Sequence, residues 1–184
     1  ATHAWAITKN DDTTAATLTN DQKATANELT YNGGDQALVS APTAALPDGY
    51  TIQYSLDGTT WTTTPPTGKD AGDYTVHVKY VGDDNHADFN GDDIAVTIAK
   101  KAVTLTWAEN PEYDGTEKTM TATVNGAVVG ENVTVTTYTG NTGTNVSNYN
   151  AEATGLSSAN YKLPDDATHA WAITKNDDTT AATL

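Results

Sequence analysis

Apolar and polar residues alternate along much of the chain. Between residues 74 and 80, Tyr74, Val76, Val78 and Tyr80 are separated by single polar residues. A period of two is typical of a strand with one buried face, whereas no segment shows the 3.6-residue apolar period of a helix. The same alternation predicts strands at four further sets of residues: Ile52, Tyr54 and Leu56; Ile94, Val96 and Ile98; Val103, Leu105 and Trp107; and Val133 and Val135.

Two dipeptides predict hairpin turns between such strands. Asp57-Gly58 stands before Trp61, and Asn125-Gly126 stands between residues 121–124 and 127–129. Both supply the positive φ angles that two-residue hairpin turns need. Short strands separated by Gly, Asp, Asn and Pro predict an all-β fold of antiparallel sandwiches with almost no helix.

The chain also repeats itself. Residues 1–18 recur letter for letter as residues 167–184, so the repeat is 166 residues long, the difference between positions 167 and 1. Repeats of this fidelity are typical of proteins that stack many copies of one unit. The sequence therefore predicts a tandem array.

A weaker repeat lies inside the long one. Residues 94–101 match residues 169–176 at an offset of 75. Two other pairs of segments show the same relation: 71–86 with 146–161, and 29–33 with 111–115 at an offset of 82. The sequence thus predicts two small antiparallel β modules in tandem. The boundaries are the last strand of the preceding copy at 1–9, a first module at 10–100, a second at 101–175, and the lead-in to the next copy at 176–184.

A resemblance to known families rests on segments of both modules. The first contains LTYNGGDQALVSAP, YTIQYSLDGTTW and VTIAKK, and it resembles the immunoglobulin-like repeats of bacterial surface adhesins. The second contains AVTLTW, PEYDGTEKT, SNYNAEATGL and ANYKL, and it resembles YDG- and MBG-type adhesin repeats. The resemblance implies a β-sandwich-like module of a stalk or adhesin arm on the surface of Gram-positive or gut bacteria. It implies secretion and attachment to the cell wall through regions outside this segment, and it supplies no catalytic residues.

Two functions follow as hypotheses. The first is a structural repeat unit that projects an adhesive region from the cell, with neighbouring copies of the same repeat as its partners. The alternative is a binding module in which each copy engages host glycan or glycoprotein and adds avidity. The junction at residues 99–103, AKKAV, has no Gly, Pro or Ser, whereas the copy-to-copy junction, KNDDTTAATLTND, is polar and longer. We therefore expect flexibility to concentrate between copies.

Composition excludes several classes of function. The chain has 24 acidic residues against 9 lysines, no arginine, and a net charge of −15. Such a charge opposes binding to nucleic acid, which needs clustered cations, and it makes copies along one chain repel each other. There is no cysteine, hence no disulfide or thiolate chemistry. No apolar stretch is long enough to insert into a membrane.

Candidate chemistry is sparse. The segment from residue 82 to 93 carries the carboxylates that calcium prefers, namely Asp83, Asp84, Asp88, Asp92 and Asp93. Their spacing is not that of an EF-hand loop, and the sequence favours a charged surface turn over a calcium site. The sequence predicts no metal site, no cofactor and no enzymatic activity, because no histidine pair has zinc spacing and no turn presents a nucleophilic serine. Calcium at these aspartates and an internal isopeptide or ester cross-link remain alternatives.

Aromatic residues have structural interpretations. Tyr74 and Tyr149 each open a late strand, where the hydroxyl can bond back to the preceding turn as in an immunoglobulin tyrosine corner. Trp5 and Trp171 are the same repeat position, and its alignment with Val96 predicts a side chain in the core. A sugar-stacking role for any of these rings would need exposure to solvent.

Overall fold

The computed structural model of the chain describes residues 6–11, 13–14 and 17–176. The described part divides into two compact units, unit 1 up to Ala99 and unit 2 from Lys100. Most of it is strand and connecting loop. Its helical content is one 3₁₀ turn at Asn20–Gln22, so the prediction of an all-β fold with almost no helix is confirmed.

Both predicted end segments lie partly outside the described residues. Residues 1–5 of the predicted closing strand, including Trp5, are not among them, and residues 6–9 contain no strand. Residues 177–184 of the predicted lead-in are also outside the described part.

Unit 1 is built around one long central strand. Its described strands are β1 (Thr25–Ala26), β2 (Leu29–Thr30), β3 (Gln36–Ala37), β4 (Val39–Ser40), β5 (Tyr50–Ser55), β6 (Thr67–Gly68), β7 (Gly72–Gly82), β8 (Phe89–Asn90) and β9 (Ile94–Ala99). The main sheet has the order β2-β9-β7-β5, with β8 also paired to β7. Two small antiparallel pairs, β1 with β4 and β3 with β6, complete the unit.

Unit 2 follows the same plan. Its described strands are β10 (Lys101–Ala102), β11 (Thr104–Trp107), β12 (Lys118–Thr119), β13 (Ala122–Asn125), β14 (Val135–Thr139), β15 (Thr142–Gly143), β16 (Ser147–Leu156), β17 (Tyr161–Lys162) and β18 (Thr168–Ile173). The long strand β16 lies between β14 and β18, as β7 lies between β5 and β9. The pairs β11 with β13 and β12 with β15 correspond to β1 with β4 and β3 with β6.

The correspondence extends to the register. Tyr74 pairs with Val96 in unit 1, and Tyr149 pairs with Trp171 in unit 2, each position shifted by the offset of 75 read from the sequence. Leu29–Thr30 runs parallel to β9, and a parallel bridge joins Glu112 to Thr174 at the equivalent place. Because a slip of one residue would turn every side chain to the opposite face, equal registers mean that the two units bury equivalent positions.

The parallel contacts were not predicted from the sequence. Two short strand pairs are parallel, β2 with β9 and β10 with β17, in units whose other pairs are antiparallel. Unit 1 also differs from unit 2 in length. The connection between its paired strands β5 and β7 runs over residues 56–71, while residues 140–146 suffice between β14 and β16. Most of the additional length is residues 56–61, LDGTTW, which have no counterpart in unit 2.

The faces of the central strands agree with the alternation in the sequence. Val76, Val78, Val96 and Ile98 are buried, as predicted. Leu56 is an exception with 45% of its surface exposed, because β5 ends at Ser55 and the alternation stops there.

The core of unit 2 differs from that of unit 1 in how side-chain volume is divided between two adjacent strands. Val96 of unit 1 becomes Trp171, which is buried as predicted. On the adjacent strand, the equivalents of Val76 and Val78 are the smaller Ala151 and Ala153, both buried. Trp171 packs with Ala151, Met120 and Ile173 in one cluster. Cores tolerate such changes when their total volume is kept, so one large ring on β18 accompanies two small residues on β16.

One predicted hairpin is wrong. Gly126 does have a positive φ of 86°, but residues 127–129 form no strand, and Val129 is fully exposed. β13 instead pairs with β11, which precedes it in the chain. The dipeptide therefore ends β13 but does not begin a paired strand, because the hydrogen-bonded neighbour of β13 is β11.

The Asp57-Gly58 turn forms differently from the prediction. The chain does reverse there, and Gly58 has a φ of 71°. The two sides meet in one antiparallel bridge between Tyr54 and Thr62, so the loop is longer than two residues. Polar side chains inside that loop hold it in place.

Candidate functional site

A tyrosine corner opens the long strand of each unit. The Tyr74 hydroxyl donates to the carbonyl oxygen of Asp70 at 2.8 Å, and the Tyr149 hydroxyl donates to that of Asn145 at 2.9 Å. The Tyr149 hydroxyl also accepts a bond from the Asn145 backbone N–H at 3.2 Å. Both tyrosines thus close the turn before their strand, which confirms the predicted corner role.

A glycine lies under each of these rings. A Cβ on Gly68 would stand 2.9 Å from Cζ of Tyr74, and one on Gly143 would stand 2.8 Å from the hydroxyl oxygen of Tyr149. The shared pattern is Thr-Gly followed after five residues by Tyr, in residues 67–74 and 142–149. The pattern begins four residues before the matching segments 71–86 and 146–161, so the sequence itself carries this signal in both units.

Removing a corner hydroxyl should weaken each unit by a different amount. We expect Tyr74→Phe to lower the free energy of unfolding by about 1 kcal/mol, the typical net value of one hydrogen bond. Tyr149→Phe loses two bonds, so we expect the larger loss, about 2 kcal/mol. Tyr54→Phe is the matched control, because the buried Tyr54 hydroxyl has no hydrogen-bond partner in the structure. Urea unfolding of the three variants measures the order, and a Tyr54→Phe loss as large as that of Tyr149→Phe would contradict it.

The acidic segment of residues 82–93 spreads its carboxylates over separate partners. Asp83 Oδ1 lies 2.6 Å from Nδ1 of His86, which lowers the pKa of Asp83 together with a bond from the Asn85 N–H. Asp88 accepts from Nζ of Lys79 at 3.0 Å and from the Gly82 N–H, and these bonds lower its pKa.

The two later acids are also separate. Asp92 lies 3.6 Å from the Lys23 ammonium, and Asp93 lies 2.7 Å from Nδ1 of His77. Among the described residues, no three histidines or carboxylates come together as a metal site. The structure therefore does not bring the calcium candidates to one point.

A shallow hollow on unit 1 combines an aromatic ring with polar side chains. It is lined by Trp61, His77, Asn90 and Asp93, among others. An aromatic ring beside a histidine–carboxylate pair is a combination that can hold a sugar through stacking and hydrogen bonds. Trp61 lies in the segment that unit 2 lacks, so the hollow would occur once per repeat.

The remaining tryptophan of unit 2 is part of the packing. The ring of Trp107 stacks on His169 with centroids 5.2 Å apart and meets the edge of Tyr138 at 5.9 Å. Among the described residues, the exposed large hydrophobic side chains are Ile7, Leu56, Tyr113, Val129 and Val146. Tyr113 is the aromatic residue of that set. No helix in the described part is both long and apolar enough to cross a membrane.

Asp57 holds the loop between Tyr54 and Thr62. Its Oδ1 accepts from the Thr60 and Thr59 N–H groups at 2.7 and 2.8 Å, and its Oδ2 from the Thr60 hydroxyl at 2.8 Å. The buried Ser55 donates to the same carboxylate and accepts from the Gly58 N–H. These bonds, with that from the Thr60 N–H the strongest, hold the pKa of Asp57 far below its ordinary value.

The low pKa predicts acid sensitivity of unit 1. A carboxylate with a folded pKa below its unfolded value, about 3.9, stabilises the fold above that pH, and the contribution is lost as the pH falls toward the folded pKa. We expect Asp57→Ala to lower the melting temperature at pH 7 and to reduce the further decrease between about pH 4 and pH 2. Asp35→Ala, at an exposed aspartate, is the control. Parallel acid profiles for the wild type and Asp57→Ala would contradict the assignment.

Comparisons with known proteins leave the family of this chain open. No protein-family model matches the sequence, and no curated protein matches it.

Proposed function

We propose that the chain is a structural repeat unit of a bacterial cell-surface adhesin or stalk, which projects an adhesive region from the cell. The observation that carries the proposal is the shared plan of the two units. The strand pairings correspond between the units, and the long strand, its register with the last strand and its tyrosine corner recur at one offset of 75, in a chain whose ends repeat. A design used repeatedly in one chain suits a spacer whose length is set by copy number.

Other properties support this role. The resemblance to adhesin repeats implies an extracellular, wall-attached protein, and the net charge of −15 favours an extended chain of mutually repelling copies. Four carboxylates of residues 82–93, those of Asp83, Asp88, Asp92 and Asp93, are engaged by lysine, histidine or backbone groups of their own unit. Neighbouring copies are then the principal partners.

A binding role is the second candidate, and the Trp61 hollow favours it. If each repeat held one glycan there, the apparent affinity for a multivalent glycoprotein would increase steeply with copy number. Surface plasmon resonance on immobilised mucin, with chains of one and two repeats, separates the two functions. The spacer predicts no binding that depends on copy number. A gain of tenfold or more from one to two repeats, abolished by Trp61→Ala and retained by the control Trp107→Ala, would replace the spacer with the binding module.

A further inference from the structure

The chain passes from unit 1 to unit 2 through a single residue. The Ala99 carbonyl accepts a hydrogen bond from the Tyr31 N–H at 2.8 Å, which fixes Ala99 within unit 1. The Lys101 N–H donates to the Asn160 carbonyl at 2.9 Å, and Lys101 pairs with Tyr161 in parallel, which fixes Lys101 within unit 2. Lys100 is the residue left between these two anchored positions.

The same two anchors occur at the repeated segment, one at each of its two positions in the chain. The anchor before the lysine is seen at the end of unit 2, and the anchor after it is seen at the start of unit 1. At the end of unit 2, the Thr174 carbonyl accepts from the Tyr113 N–H at 2.9 Å. At the start of unit 1, the Asn10 N–H donates to the Asn85 carbonyl at 2.7 Å, and the Asn10 carbonyl accepts from the Ala87 N–H at 2.8 Å. Residues 8–10 and 174–176 have the identical sequence Thr-Lys-Asn.

These contacts match the within-chain joint position by position. Ala99 and Thr174 are 75 residues apart, as are Lys101 and Asn176. The acceptors of the Asn10 and Lys101 N–H groups, Asn85 and Asn160, are separated by the same offset, and the parallel bridge of Asn10 to His86 corresponds to that of Lys101 to Tyr161.

We propose that successive copies are joined through Lys175 alone. Thr174 stays in its own unit 2, while Asn176 binds the edge formed by residues 85–87 of the following copy. This inference rests on the proposed tandem array and names the surface by which one copy receives the next. A joint of one residue is tighter than the copy-to-copy junction expected from the polar sequence. The reason is that Asn10, the repeat equivalent of Asn176, is hydrogen-bonded to residues 85 and 87.

The lysine at the joint has a contact of its own. In unit 1 the Lys9 ammonium donates to the Asp83 carbonyl at 2.9 Å, beside the Asp83–His86 pair. Lys9 and Lys175 are the same repeat position, and Lys100 is its equivalent within the copy. One residue spans at most about 3.6 Å, so both anchored ends must lie close together at every joint.

Amide hydrogen exchange tests the joint directly. The probe is a chain of two successive copies of residues 1–166 followed by residues 167–175. Only the second copy, which contains positions 174 and 176, carries ¹⁵N. Its NMR exchange rates are compared with those of the uniformly labelled 184-residue chain. We expect the Asn176 amide to exchange at least about tenfold more slowly in the two-copy chain, because it gains a partner there. The Thr174 amide, which donates to the Pro111 carbonyl, should stay protected in both chains. Lys101 of the single chain is the protected reference.

Two results would overturn the proposal. Equal exchange of Asn176 in the two chains would show that the junction is loose. Slow exchange of Asn176 with loss of protection at Thr174 would show that one residue cannot bridge both anchors. Neither result bears on mucin binding, so failure of the joint and failure of the spacer function are distinguishable.

Discussion

Trp171→Ala is expected to cause the largest loss of stability of any single change in unit 2, about 3–5 kcal/mol. The ring is 2% exposed, stacks on Tyr149 with centroids 4.7 Å apart, and packs against Met120, Ala151 and Ile173. Small domains are stable by only about 5–15 kcal/mol, so the loss should unfold much of unit 2 near physiological temperature. Calorimetry measures it as a lowered unit 2 transition, with the unit 1 transition unchanged.

The equivalence of the two cores allows a sharper test of this prediction. Trp171→Val gives unit 2 the residue that unit 1 has at the equivalent position, and it leaves a cavity beside Ala151. Adding Ala151→Val supplies the residue of unit 1 there as well, and it should recover part of the loss by filling that cavity. As a control, Ala151→Val alone should destabilise by overpacking against the intact ring. Strictly additive effects of the two changes would contradict the volume exchange.

Gly143→Ala is the second large effect. The added methyl group would press on the Tyr149 ring, which cannot retreat because Asn145 binds its hydroxyl and Trp171 covers its face. Overpacking of this kind costs about 1–3 kcal/mol. Gly68→Ala should cost a similar amount in unit 1, since its methyl would meet Leu38, Tyr74 and Ile98.

Gly34→Ala is the matched control for both glycines. Its Cβ would come no nearer than 3.6 Å to Asn32 and no positive φ opposes it, so we expect no loss and up to about 1 kcal/mol of gain. Urea unfolding gives the three values. A destabilisation by Gly34→Ala as large as that by Gly143→Ala would show that the loss does not come from contact between the added methyl group and the tyrosine ring.

Strand faces could be predicted because each depends on local alternation. Val76 and Val78 fall on the buried side of β7, since a strand with one face in the core can satisfy the pattern in only one way. The tyrosine corners were also accessible, because Tyr74 and Tyr149 stand at the same place before equivalent strands.

Strand partners could not be predicted in the same way. A glycine with positive φ fixes a turn locally, but which strand pairs with β13 depends on residues far away in the chain. The Asp57 loop does carry a local signal, since Ser and Asp two residues apart can both bond to neighbouring backbone N–H groups. The acidic segment could not be interpreted from its own residues, because Lys23, His77 and Lys79 reach it from other parts of unit 1.

Small-angle X-ray scattering from chains of one, two and four repeats tests the central claim most directly. If the chain is a spacer with one-residue joints, the maximum dimension should increase by a constant amount with each added copy. Flexibly linked copies would instead give dimensions that increase as about the square root of copy number. The first result is the one predicted by a stalk of equivalent joints, and the second would contradict it.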